Sequence, residues 1–95
     1  MAEEIVAVHT RIEGKVQRVW YRNWTVGAAS DRGLSGWVRN RADGSVEAVF
    51  SGPKDKVDDM VKACWQGSPK SQVTNVIVTP AEVVRDAGFR EIDTV

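Results

Sequence analysis

Alternation of apolar and polar positions predicts that the chain is rich in strands. From Val6 to Ile12, Val, Val, Thr and Ile occupy every second position, which is the pattern of a half-buried strand. Similar patterns predict strands at Leu34 to Asn40 and at Val46 to Phe50. Between these two strands, Ala42-Asp43-Gly44 predicts a tight hairpin, because Asp-Gly readily adopts the positive φ angles of such turns.

Two stretches with helical periodicity interrupt the strands. We predict a first helix from about Tyr21 to Arg32, with Trp24, Ala28 and Ala29 on its apolar side and Gly33 in the left-handed position after its end. A second helix has Pro53 in its first turn, where the missing N–H costs nothing. Its apolar face is predicted to consist of Val57, Met60, Val61, Cys64 and Trp65.

Two later strands, Gln72 to Thr79 and a short one at Phe89 to Ile92, complete the pattern. The order is then β-α-β-β-α-β with a brief terminal strand. Two helices on one face of an antiparallel sheet make an α+β sandwich of the ferredoxin-like type. We predict one domain spanning residues 1–95, because 95 residues enclose a single core. This fold hosts many functions, so the function must come from particular residues.

Composition and charge exclude several classes of function. Thirteen Lys and Arg residues balance thirteen Asp and Glu residues, which argues against a broad nucleic-acid or anionic-membrane surface. No apolar run approaches the ~20 residues that span a bilayer, and the acidic start does not resemble a signal peptide. The single cysteine, Cys64, allows no internal disulfide. We therefore expect a cytoplasmic monomer with neither nucleic-acid nor membrane partners.

The junction between the first strand and the first helix is a candidate anion site. Gly14 to Tyr21 form the connecting loop, and Arg22 falls in the first helical turn. A helix N-terminus offers unpaired N–H groups and the positive end of the helix dipole. An arginine adds a planar fork that can hold two phosphate oxygens. Taken alone, the pattern is also that of a surface arginine near a helix start.

Two longer motifs resemble those of the acylphosphatase family. That family carries Gly-x-Val-Gln-Gly-Val-x-Phe-Arg where this chain has Gly14 to Arg22, and Gly-Leu-x-Gly-Trp-Val-x-Asn where it has Gly33 to Asn40. The resemblance extends over nearly the whole chain. It implies sheet order 4-1-3-2-5 and hydrolysis of a small-molecule acyl phosphate, without a metal, a cofactor or a covalent intermediate.

The resemblance also implies which residues form the site. The family's catalytic arginine and asparagine correspond to Arg22 and Asn40, and the family's phosphate-binding loop corresponds to Gln17, Arg18, Val19, Trp20, Tyr21 and Arg22. In these roles Arg22 and the loop amides hold the phosphate, while Asn40 orients the attacking water. Such positioning suits phosphoryl transfer, and an amide can orient water but cannot deprotonate it.

The chain departs from the family motif at two positions. Tyr21 replaces phenylalanine, which keeps the ring and adds a hydroxyl that needs a partner. Arg18 replaces glycine, a residue often used where φ is positive or where backbone approaches a ligand. Because the rest of the motif is intact, we predict a negative φ at Arg18 and a role in capturing anionic substrate. The alternative is a site weakened by Arg18 that binds phosphate without turnover.

Other chemically capable residues have ordinary explanations. His9 lies on the polar side of the first strand and is expected at the surface, and Cys64 is expected in the core. Arg39 and Arg41 alternate with Asn40 and are predicted to point into solvent on the other face of their strand.

The four tryptophans fall into two groups by their predicted location. Trp37 and Trp65 fit core positions, whereas Trp20 and Trp24 flank the candidate site and could line an acyl pocket or pack in the core. A nucleic-acid-binding module on the same fold is the remaining alternative. It would need stacking rings on the central strands, where the sequence offers only Phe50.

Overall fold

The computed structural model describes residues 4 to 95, which form five strands and two helices. In chain order the elements are β1 (Ile5–Lys15), α1 (Tyr21–Asp31), β2 (Ser35–Asn40), β3 (Val46–Pro53), α2 (Lys54–Gln66), β4 (Gln72–Pro80) and β5 (Phe89–Glu91). The predicted order of elements is confirmed. Their bounds shift by a few residues, and β1 continues past Gly14 through an irregularity in its pairing with β4.

The strands form one sheet in the order β4-β1-β3-β2-β5, as the family resemblance implied. The first four strands pair antiparallel. The exception is β5, which runs parallel to β2 and places Glu91 opposite Val38. The fold is thus the expected ferredoxin-like α+β sandwich, with a parallel pair at one edge of the sheet. This pair brings the end of the chain beside the end of β2.

The core lies between the two helices and one face of the sheet. The side chains buried there come from every element except the short β5, and the largest are Tyr21, Phe50, Ile12, Leu34 and Met60. The rings of Phe50 and Phe89 stack with their centroids 5.3 Å apart, which ties the edge strand β5 to the core. Burial of these apolar surfaces is the main force that fixes the helices on the sheet.

In helix α1 the predicted apolar side is confirmed at Ala29, but the fully buried face continues through Tyr21 and Thr25 rather than through Trp24 and Ala28, which pack against the edge of the core. Tyr21, Thr25 and Ala29 are buried, whereas Trp24 and Ala28 are only half-buried. Residues four apart lie on one side of a helix, and the buried tyrosine sets which side faces the sheet. Gly33 follows the helix with φ +68°, so the predicted left-handed position is confirmed.

In helix α2 the apolar face is confirmed except at its edge. Val57, Met60 and Cys64 are fully buried, but Trp65 is 50% exposed, so its assignment to the core was wrong. Trp65 lies at the border of the stripe, where a large ring extends past the sheet into solvent. Pro53 ends β3 and immediately precedes the first residue of the helix, rather than lying in its first turn.

The face of the sheet without helices carries a charged cluster around Glu47, whose side chain is only 8% exposed. His9 Nε2 lies 2.5 Å from one carboxylate oxygen, and Arg39 Nε and Arg41 Nη1 lie 2.6 and 3.2 Å from the other. Burial favours a raised pKa for Glu47, but hydrogen bonds from His9 and Arg39 and their charges hold the pKa below its usual range. The prediction that Arg39 and Arg41 point into solvent is therefore wrong, because both arginines pair with Glu47.

Candidate functional site

A cavity of about 380 Å³ opens where the loop between β1 and α1 meets the ends of β2 and β5. Its lining residues are Val16, Arg18, Trp20, Tyr21, Arg22, Asn23, Asn40 and Glu91. The structure therefore brings Arg22 and Asn40 together in one cavity, although they belong to different elements. Val16, Asn23 and Glu91 also line the cavity and were not predicted.

The loop has an unusual backbone. Arg18 and Trp20 both lie in the left-handed region, with φ of +63° and +65°. The prediction of a negative φ at Arg18 was therefore wrong, because the loop keeps the conformation that suits the family's glycine. Each such residue costs roughly 1–2 kcal/mol relative to an ordinary conformation. Left-handed residues turn successive N–H groups toward one side, which creates an anion-binding concavity.

Side chains behind the loop hold this backbone in place. The side-chain amide of Gln17 donates to the carbonyl oxygens of Arg41 and Ser45, over 2.7 and 2.9 Å. The buried hydroxyl of Ser68 donates to the carbonyl oxygen of Val19 over 2.8 Å. Gln17 and Val19 are predicted members of the phosphate-binding loop. Neither is among the residues that line the cavity, and the Gln17 side chain and the Val19 carbonyl oxygen anchor the loop, which leaves the Val19 N–H without a partner in residues 4–95.

Tyr21 provides a third anchor. Its hydroxyl donates to the carbonyl oxygen of Cys64 over 2.7 Å, which is the partner that the extra oxygen of this tyrosine needed. Burial raises the pKa of Tyr21 far above its usual value, so the hydroxyl stays protonated. Burial likewise raises the pKa of Cys64 to about 12. A buried thiol with this pKa is a poor nucleophile, in agreement with its predicted place in the core.

The backbone N–H groups around the start of α1 have no partner in the described part of the chain. Within residues 4–95, the N–H groups of residues 18 to 23 make no hydrogen bond. Trp20 is the capping residue of the helix and supplies no side-chain cap, and its carbonyl oxygen accepts the first helical bond, from Trp24 N–H at 2.9 Å. The open amides and the helix dipole together favour an anion at this end.

Arg22 reaches the cavity from the first turn of α1. Its side chain is 34% exposed, and Nη1 lies 3.5 Å from Glu91 Oε2. No local pattern indicates Glu91 as a site residue, because a parallel partner strand far away in sequence brings it there. The contact is long and both groups reach solvent, so the pair is weak and an incoming anion can displace Glu91.

Asn40 is the last residue of β2 and carries an unsatisfied acceptor. Its Oδ1 is buried and has no hydrogen-bond partner in the described part of the chain. Leaving such an atom unpaired costs roughly 1–3 kcal/mol. Buried acceptors of this kind need an explanation, and a water in the cavity would satisfy this one.

Two features are absent from residues 4–95. Among these residues no three His, Cys, Asp or Glu side chains lie close enough together to bind a metal ion. Neither described helix is long and apolar enough to cross a membrane.

The fold is ferredoxin-like, and the junction between its first strand and first helix carries backbone N–H groups without a partner in residues 4–95. The family model described as "Acylphosphatase" matches residues 8–91. This match covers most of the chain. The chain therefore belongs to the acylphosphatase family of enzymes.

Individual relatives agree with this assignment. A curated acylphosphatase from Rhizorhabdus wittichii is 50% identical over 90 residues, covering 95% of this chain and 91% of the relative. One from Rhodospirillum rubrum is 53% identical over 81 residues, covering 85% and 89%. The solved structure of an acylphosphatase from Coxiella burnetii has a TM-score of 0.89 and 32% identity, and the alignment covers 93% of both chains. The fold of this chain is thus the fold of a solved acylphosphatase.

Proposed function

We propose that this protein hydrolyses acyl phosphates to a carboxylate and inorganic phosphate. The observation that carries the proposal is the convergence of three features on one cavity. These features are the Arg22 guanidinium, the open N–H groups of residues 18 to 23, and the unpartnered Oδ1 of Asn40. The first two would neutralise and orient a phosphate, and the third would position a water.

In the proposed reaction, the phosphoryl oxygens accept hydrogen bonds from the loop amides and from Arg22. Asn40 Oδ1 accepts a hydrogen bond from a water and so directs a lone pair of the water oxygen at phosphorus. The new P–O bond forms as the bond between phosphorus and the acyl oxygen breaks, and the bonding pair leaves with the carboxylate. The water proton passes to a phosphate oxygen or to solvent.

This reaction needs little general acid or general base catalysis. A carboxylate is a good leaving group, so no proton donor is needed on the acyl side. A loose transition state at phosphorus needs little deprotonation of the water, which matches an asparagine in place of a base. What the protein must supply is orientation and positive potential, and a loop anchored from behind supplies both before substrate arrives.

The test compares two substrates. Purified protein should hydrolyse benzoyl phosphate, followed by ultraviolet absorbance, and should leave the monoester p-nitrophenyl phosphate intact, because its phenolate is a poorer leaving group than a carboxylate. The rate should be the same with and without EDTA. Loss of activity in EDTA that returns with a divalent metal, or equal activity on the monoester, would overturn the proposal.

Two alternatives are less well supported. A site that binds phosphate without turnover would follow if Arg18 distorted the loop, but Arg18 adopts the left-handed conformation that glycine would take. A nucleic-acid module would need Phe50 exposed on the sheet, but Phe50 is fully buried beneath the helices.

We also propose that residues 1–95 act as one domain and as a monomer in the cytoplasm. One chain supplies every residue that lines the cavity, so the site does not require a second copy. Size-exclusion chromatography with light scattering tests the monomer, and a dimer at working concentration would contradict it.

A further inference from the structure

Trp20 is the most exposed of the large apolar side chains in the described part of the chain. It is 76% exposed, compared with 50% for Trp65 on α2. Its ring takes part in no aromatic pair or cation–π contact within residues 4–95. Unlike Trp65, Trp20 lines the cavity that holds Arg22 and Asn40.

The backbone fixes where this ring stands. Trp20 has φ +65°, which is a clear outlier for so bulky a residue. Its carbonyl oxygen is committed to the first bond of α1, so the residue cannot leave this conformation without fraying the helix. Trp24, the other tryptophan near the loop, packs against the Tyr21 ring at 5.3 Å and belongs to the core. Of the two tryptophans that flank the site, only Trp20 offers a free face.

The acyl group has to lie in the same cavity as this ring. Asn40 and Glu91 belong to the neighbouring strands β2 and β5, whereas Arg18 and Trp20 belong to the loop, and all four line the cavity. In an in-line displacement the leaving group lies opposite the attacking water. An acyl group that lies away from the water at Asn40 is therefore within the part of the cavity that the exposed Trp20 ring borders.

We propose that Trp20 determines acyl-group specificity by stacking on the acyl portion of the substrate, so that aromatic acyl phosphates bind more tightly than small aliphatic ones. This inference rests on the proposed hydrolysis of acyl phosphates. A planar aroyl group can cover the exposed indole and pair with it face to face or edge to face, whereas an acetyl group cannot.

The experiment measures KM for benzoyl phosphate and acetyl phosphate with the wild type and three variants. Trp20→Ala removes the ring but keeps a Cβ in the left-handed region. Trp20→Phe keeps a ring, and Trp65→Ala removes an exposed ring remote from the cavity. In Trp20→Ala the KM for benzoyl phosphate should rise about three- to tenfold, the range of an aromatic pair. Both substrates share the loop, so the deciding quantity is the ratio of the two KM values, which should change by about this factor. Any effect of the substitution on phosphate binding itself, seen as a change in inhibition by inorganic phosphate, cancels in that ratio. Trp20→Phe should recover most of the loss, and Trp65→Ala should behave as the wild type.

A binding measurement separates this inference from the proposed function. Titration calorimetry with benzylphosphonate and methylphosphonate, which are not hydrolysed, should show tighter binding of the benzyl compound by the wild type and loss of that preference in Trp20→Ala. That result supports the inference even if no substrate is turned over, whereas absence of turnover alone overturns the proposed function. Equal weakening of both phosphonates, or an unchanged preference in a folded Trp20→Ala protein, would overturn the role of Trp20.

Discussion

Replacing Arg18 by glycine should make the protein more stable, although glycine usually destabilises. Arg18 has φ +63°, and its exposed side chain makes no hydrogen bond or ion pair within residues 4–95. Glycine would relieve roughly 1–2 kcal/mol of left-handed strain. The same substitution lowers the free energy of unfolding by about 0.5–1 kcal/mol, because glycine raises the conformational entropy of the unfolded chain. The balance is a gain of about 0.5–1 kcal/mol, equivalent to a rise of about 2–8 °C in Tm for a domain of this size.

The assay is the urea midpoint of unfolding, compared between variants that share the same m value, and Arg18→Ala is the matched control. Alanine removes the charge but retains the left-handed penalty, so Arg18→Ala should unfold within about 0.5 kcal/mol of the wild type. If Arg18→Gly were less stable than the wild type, or no more stable than Arg18→Ala, the strain would not be real. Both variants should raise KM for acyl phosphates severalfold at low salt and much less at high salt, because Arg18 contributes a cation to the cavity.

Three further substitutions test the roles assigned in the cavity. Arg22→Ala should lower kcat/KM at least ~10²-fold and abolish inhibition by inorganic phosphate, and Arg22→Lys should recover little, since an ammonium lacks the bidentate fork. Asn40→Ala should lower kcat while phosphate still inhibits with nearly normal affinity, because its proposed partner is water. The reverse pattern in these two variants would exchange their roles. Glu91→Gln should lower KM by up to about fivefold at low salt, since substrate no longer competes with a weak ion pair, and a raised KM would instead make Glu91 a positioning residue for Arg22.

Local periodicity in the sequence is sufficient to predict most of the fold. The strands and the second helix follow from alternation and from a three-to-four spacing, because each element buries one face against the same core. Errors occurred at the borders of those faces. The periodicity places Trp65 on the apolar stripe of α2, but its ring lies at the edge of that stripe and is half exposed. Glu47 was not recognised as a buried group, because a charged residue in a strand normally indicates a solvent-facing position.

The site was only partly predictable, for a different reason. Arg22 and Asn40 followed from the motifs that resemble the family, and the structure places both in one cavity. The conformation of Arg18 could not be predicted, because the loop is held by groups far away in the sequence, such as Ser68 and the turn that follows β2. Glu91 could not be predicted either, since only the parallel pairing of β5 with β2 brings it to Arg22.

The anchors explain how the loop can be both strained and open. Two left-handed residues together cost roughly 2–4 kcal/mol, and six N–H groups without partners add to the cost of the unliganded state. The hydrogen bonds from Gln17, Ser68 and Tyr21 all reach backbone carbonyls and leave the N–H groups on the cavity side untouched. Ser68 uses the carbonyl oxygen of Val19, whereas Gln17 and Tyr21 donate from their side chains to carbonyl oxygens outside the loop, so none of these anchors uses a backbone N–H group of the loop. A phosphate that binds there completes bonds without reorganising the backbone, so its binding energy need not be spent on ordering the loop.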